Sequence, residues 1–138
     1  MPESRDTNAD PHTWWNDQAS AALGMNVSAT TPGGAIVTMV VRDDMLNGLE
    51  VCHGGLIFTL ADTAMALASN TRDNPAYAVS ADMTWVRPGR KGDLLTATAR
   101  QQVTAGRTGV YDVSVANQDG EMVGLFRGRV RHVPIEKP

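Results

Sequence analysis

The 138-residue chain reads as an α+β domain, an antiparallel sheet wrapped around one long central helix. Three observations predict this. Residues 54–70 form the longest uninterrupted apolar stretch, with four alanines, no proline and no glycine after Gly55, which favours a helix. Tyr77, Val79, Ala81, Met83 and Trp85 alternate with Ala78, Ser80, Asp82 and Thr84, the period-two signature of a strand. The segments after residue 92 are joined by links too short for parallel crossovers, so their strands run antiparallel.

Taken in order, residues 1–9 are polar and read as a disordered tail, and residues 10–138 as a single domain. Asp10-Pro11 offers an N-cap and a first-turn proline. Trp14, Trp15, Ala19, Ala22 and Leu23 follow at helical spacing, and Gly24 stops the helix. The β-branched run 35–42 predicts a strand after Gly33-Gly34, ended by Asp43-Asp44. In the long helix Thr59, Asp62, Thr63, Ser69 and Asn70 recur every three or four residues as one polar stripe. The rest of that helix is apolar and should be enclosed on most sides. After the alternating strand, residues 87–92 form a turn. Strands follow near 93–104, 107–117 and 121–133, with hairpin turns at Ala105-Gly106 and Gln118-Asp119-Gly120.

Composition narrows the function classes. With 42% hydrophobic and 20% charged residues the chain is globular. No apolar run reaches the roughly 18–20 residues that cross a bilayer, and the first residues lack the apolar core of a secretory signal. A cytoplasmic protein without a membrane partner is expected. A net charge of −3 gives no general footprint for nucleic acid. Clusters at Arg87, Arg90 and Lys91, and at Arg127, Arg129 and Arg131, still allow local anion binding. One cysteine, Cys52, rules out an internal disulfide and a Cys-rich zinc site. His12, His53 and His132 lack ligand spacing, so no metal is expected.

The chemistry concentrates at Asn47-Gly48-Leu49-Glu50-Val51-Cys52-His53-Gly54-Gly55 and the helix it opens. Gly54 and Gly55 leave the first N–H groups of that helix open to a developing oxyanion. Asp62, a carboxylate in an apolar helix, is costly to bury without a partner or a task. It suits a general base activating water, a nucleophile on an acyl carbon, or a structural cap. Seven residues separate it from Gly55, roughly 10 Å along the axis. Either the substrate lies along the helix, or Asp62 serves a site completed by a second subunit.

Other candidates are weighed the same way. The Cys52–His53 neighbours point apart and lack a third orienting group, so Cys52 is read as packing and His53 as setting the start of the helix. The Asn47 amide can donate to a carbonyl oxygen, although Asn-Gly is also a common turn. Ser80 lies opposite the apolar Val79/Ala81 face and must look into an interface or cleft to act. Arg90 and Lys91 in a glycine-flanked turn, and Arg107, suit phosphate contacts, against the plainer alternative of a solvated turn.

These residues resemble a known family. Asn47-Gly48, Cys52-His-Gly-Gly55, Phe58-x-Leu-Ala-Asp-Thr-Ala64 and Asn70 are similar to the hotdog-fold acyl-CoA thioesterases of the phenylacetic-acid-degradation (PaaI) type. The likeness continues through Arg87-Pro-Gly89, Gly92-Asp-x-Leu-Thr-Ala-Thr-Ala99, Thr108-Gly-Val-Tyr-Asp112 and Leu125-Phe-Arg-Gly128. The resemblance implies a hotdog fold, a homodimer with one continuous sheet, and a homotetramer of two dimers. It implies hydrolysis of phenylacetyl-CoA and ring-hydroxylated relatives in phenylacetate catabolism, with coenzyme A as part of the substrate and no metal. Carried onto this chain, Gly54 and Gly55 supply oxyanion donors and Asn47 holds the thioester carbonyl. Asp62 of the opposite subunit is base or nucleophile, Ser80 orients water, and His53 supports the motif. Met65 and Leu67 depart from the aromatic residues that relatives often carry, which leaves the acyl preference open.

Two other classes compete. A hotdog hydratase would place an aspartate about five residues before a histidine on the loop leading into the helix. Residues 48–53 contain none. A non-enzymatic acyl-CoA-binding module, or a thioesterase of broader acyl range, fits the same motif, but a bare binding module leaves Asp62 without a task.

Overall fold

The computed structural model describes residues 17–70 and 74–134. Its elements are α1 (Gln18–Ala22), β1 (Asn26–Thr31), β2 (Gly34–Val40), a 3-10 turn (Asp43–Met45), α2 (Gly54–Ser69), β3 (Ala76–Trp85), β4 (Leu94–Ala105), β5 (Thr108–Ala116) and β6 (Met122–His132). Six strands form one sheet in the order β1-β2-β4-β5-β6-β3, every pair antiparallel.

The long helix begins and ends within a residue of expectation. Ile57, Leu60, Ala61, Ala64, Met65, Leu67 and Ala68 are buried against Val37, Met39, Leu95, Ala97, Ala99, Val113, Val115 and Phe126. Alanines on both sides let the helix lie close to the strands. Phe58 meets Phe126 edge-on, with ring centroids 5.3 Å apart. The described residues share this one hydrophobic core.

Four expectations are corrected. β1 was not foreseen, because Asn26-Val-Ser-Ala-Thr-Thr31 is a short edge strand whose one large apolar residue is Val27. Among the described residues the first helix is capped at Asp17 and begins at Gln18; the 1–9 tail, Asp10-Pro11, Trp14 and Trp15 lie outside them. The polar stripe on α2 is narrower than its sequence suggests. Thr63, Ser69 and Asn70 are buried and satisfied locally: Thr63 by Ser20, Ser69 through the Ala66 carbonyl, and Asn70 by Ala66 and Ala76. The open face of α2 is Gly55, Thr59, Asp62 and Ala66, spaced four, three and four residues apart.

Finally, β3 does not bury the alternating face its sequence advertises. It is the outer strand, and a register shift between Ala78 and Ser80 breaks the alternation. Tyr77, Val79 and Trp85 are 68%, 48% and 51% exposed.

Candidate active site

The loop from β2 to α2 is closed by its own backbone. The Asn47 N–H donates to the Val51 carbonyl at 2.8 Å, the Leu46–Cys52 bridge zips the loop, and the His53 N–H donates to the Met45 carbonyl at 2.8 Å. The Asn47 side chain completes it. Its Oδ1 accepts from the N–H groups of Leu49 at 2.9 Å and Val51 at 3.4 Å. That commits the oxygen to the loop and leaves the Nδ2 amine as the outward donor. Glu50 adopts a left-handed φ of 62° inside this turn.

His53 is the N-cap of α2, and its Nδ1 accepts from the Gly55 N–H at 3.1 Å. A neutral ring therefore carries its proton on Nε2. Gly54 lies under Trp85, whose Nε1 donates to the Gly54 carbonyl at 3.0 Å. Among the described residues the Gly54 N–H meets no acceptor, whereas the Gly55 N–H is held by His53. Of the two glycines, Gly54 is the donor left open at the positive end of the helix.

Cys52 packs. It is buried, and burial pushes its thiol up to about 11, far from a ready nucleophile. Its N–H donates to the Gly89 carbonyl at 2.8 Å, docking the 87–92 turn onto the loop.

Asp62 stands two turns along the open face of α2 and is part-buried rather than enclosed. Its carboxyl is raised above the ordinary carboxylate range, first by desolvation and then by the neighbouring negative charge of Asp17. Within one chain the Gly54 end and Asp62 remain separated by the roughly 10 Å of helix between them. Ser80 is exposed on β3, paired with Arg129 of β6.

The basic candidates divide. Arg90 and Lys91 are exposed on the turn that docks against the loop leading into α2, and Lys91 Nζ lies 3.1 Å from Asp43. Arg107 sits in the β4–β5 turn, at the far end of the sheet, its carbonyl accepting from the His132 N–H. Twelve residues of β4 separate the two turns, roughly 40 Å. Met65 and Leu67 are buried in the core and absent from the open face of α2, and Met65 packs beneath Gly128. Sequence reasoning missed Trp85 and Asp17 as neighbours of the site. The Asp17-x-x-Ser20 spacing of a helix N-cap was the available signal for Asp17.

Comparison with known proteins fits this geometry. The Thioesterase superfamily model matches residues 49–123. The chain is 44% identical over 118 residues to the acyl-coenzyme A thioesterase PaaI of Escherichia coli (strain K12), covering 86% of this chain and 84% of that one. The structure of the E. coli PaaI protein from the phenylacetic acid degradation operon superposes with a TM-score of 0.86 at 43% identity, covering 88% of each chain. A Streptococcus mutans UA159 protein bound to acetyl CoA superposes with a TM-score of 0.77 at 29% identity, covering 82% of this chain and 91% of that one. With the family model spanning more than half of its residues and the E. coli PaaI relative covered over most of its length, the chain belongs to the thioesterase superfamily and has its hotdog fold.

Proposed function

We propose that this protein hydrolyses aryl-acetyl-CoA thioesters, phenylacetyl-CoA and ring-hydroxylated relatives, to the free acid and coenzyme A in phenylacetate catabolism. The observation that carries the reading is the open face of α2. It carries, two turns from the uncommitted Gly54 N–H at the helix start, a part-buried carboxylate at Asp62 whose proton affinity is raised.

The thioester carbonyl accepts from the Gly54 N–H and the Asn47 Nδ2. Asp62 takes a proton from water as its oxygen bonds to the acyl carbon, and the oxyanion forms against those donors. Collapse breaks the C–S bond, and the sulfur leaves as the thiol of coenzyme A with the proton that Asp62 took from water, which restores the carboxylate. Ser80 orients the water and His53 holds the helix start. Arg90 and Lys91, on the turn docked against the loop leading into that helix, contact the CoA phosphates in this reading. Coenzyme A arrives with the substrate, and the reaction calls on no other cofactor.

The two halves of the site meet between subunits, Gly54 of one with Asp62 of the partner subunit. The support is β3, an edge strand presenting unpaired backbone and exposed Tyr77, Val79 and Trp85, a template for a second copy. A homodimer, assembled in pairs as a tetramer and working in the cytoplasm, follows from this reading. Among the described residues no helix is long and apolar enough to cross a membrane.

Free thiol release across a panel of acyl-CoAs tests the proposal. Phenylacetyl-CoA should be turned over fastest, and Asp62→Asn should lose about 100-fold or more in rate while remaining folded. Undiminished turnover in that variant, or a fully active monomer in sedimentation, would sink the shared-site reading.

A further inference from the structure

One hydrogen-bonded chain beside Asp62 has no part in the reaction described above. The N-cap Asp17 holds Ser20 twice: Oδ1 accepts from the Ser20 N–H at 3.0 Å, and Oδ2 lies 2.7 Å from the Ser20 hydroxyl. That hydroxyl lies 2.9 Å from the hydroxyl of Thr63, and Ser20 and Thr63 are both buried. An ionised carboxylate only accepts, so the chain has one direction: Thr63 O–H donates to Ser20 Oγ, and Ser20 O–H to Asp17. It ties α1 to α2 at the residue that follows Asp62.

We propose that Asp17 is a positioning residue for Asp62, clamping α1 onto α2 through Ser20 and Thr63 and setting a carboxylate beside the base. This rests on the role of Asp62 proposed above. The carboxylate of Asp17 disfavours a second negative charge nearby, so Asp62 holds its proton to higher pH and is a stronger base when it loses it.

Among the described residues Asp17 has no rival on the other elements packed against α2. β1 and β2 carry no charged or titratable side chain. Arg100, Asp112, Arg127, Arg129 and Arg131 occupy the outward positions of β4, β5 and β6, on the far side of the sheet. Asp82 lines the same outer groove as Asp112 and Arg127. Tyr77 is exposed on the outer strand, and His132 lies beside the Asn74 carbonyl. Tyr111 faces the core and its hydroxyl donates to Gln101. His53 stands at the start of α2, nine residues before Asp62.

The test is the pH profile of kcat/KM with phenylacetyl-CoA in the full-length protein. Asp17→Asn keeps a good N-cap and can reverse the chain, its amide donating to Ser20 and Ser20 to Thr63, while removing the charge. The acid limb should move to lower pH. Below the limb the variant should outrun the parent; on the plateau it should be slower, by far less than the ~100-fold expected of Asp62→Asn. Asp17→Ser, a second neutral cap, should move the limb the same way. An unmoved limb with a uniform loss of rate would overturn the proposal, as would failure of both variants to fold, since Asp17 would then be structural alone. If Asp62→Asn itself keeps full activity, it is the role of Asp62 that fails, an outcome separate from an unmoved limb.

Discussion

The imidazole of His53 accepts a hydrogen bond from the Gly55 N–H at 3.1 Å, so one of the first two donors of α2 is used within the chain. This cap fixes the loop against the helix and leaves Gly54 to face a substrate. His53→Ala should cost about 1 kcal/mol of stability in denaturant unfolding, the usual scale for a lost N-cap. His53→Asn should recover most of it, because asparagine caps equally well. Equal stability of the alanine variant and the parent would show that the cap contributes nothing.

The two glycines should respond differently to a methyl group. A Cβ on Gly54 would sit 3.1 Å from Trp85 Nε1 and 3.2 Å from its Cε2. Gly54→Ala must push the indole aside and strain its bond to the Gly54 carbonyl, at a cost of about 1–3 kcal/mol. A Cβ on Gly55 meets only the His53 ring, at 3.4 Å. Gly55→Ala should therefore keep or slightly raise the melting temperature, alanine being the better helix former. Its methyl crowds the approach to the helix start, so thioesterase activity should fall while stability does not.

The helix, its glycine start and five of the six strands were legible because each has a strong local signal. Alanine content and unbroken length marked α2, and turn residues marked the hairpins among β4, β5 and β6. The alternation of β3 was equally clear, but alternation does not say which face is covered, and here it belongs to an edge. β1 is short and has Val27 as its one large apolar residue, too little to stand out. Asp62 stood out as an acid among apolar residues. Its tie to Asp17 did not, because it runs through Ser20 and Thr63, 43 residues apart in sequence. A commitment such as that of Gly55 to His53 depends on side-chain direction, which spacing alone does not carry.

On the outer face of the sheet, Arg127 grips Asp112 with both arms of its guanidinium, Nε to Oδ1 at 2.6 Å and Nη2 to Oδ2 at 2.8 Å. The hydrogen bonds from Arg127 hold the Asp112 carboxyl below the usual carboxylate range. A depressed carboxyl stabilises the fold above its unfolded value, and that stabilisation is lost as pH falls through the lower folded value. Arg127→Gln should thus lie below the parent in melting temperature at neutral pH, with the gap closing in acid. The Arg127 side chain is largely exposed and that of Asp112 partly so, and the gap should be small and shrink with added salt. A gap that persists unchanged in acid would assign the effect to packing.

Asp62 should show the opposite dependence. Burial and Asp17 raise its folded-state proton affinity, so ionised Asp62 opposes folding above the raised value. Below the unfolded value the group is protonated in both states and the penalty is gone. Asp62→Asn should therefore melt above the parent at neutral pH, and the gain should fade as pH falls through the raised folded value towards the ordinary one. Thermal unfolding of both proteins across that range, alongside their thiol-release rates, would show whether the fold carries a site that costs it stability. A parent as stable as the asparagine variant at neutral pH would mean that the carboxylate is compensated where it sits. Asp62 would then lose its claim to the raised basicity on which the proposed hydrolysis depends.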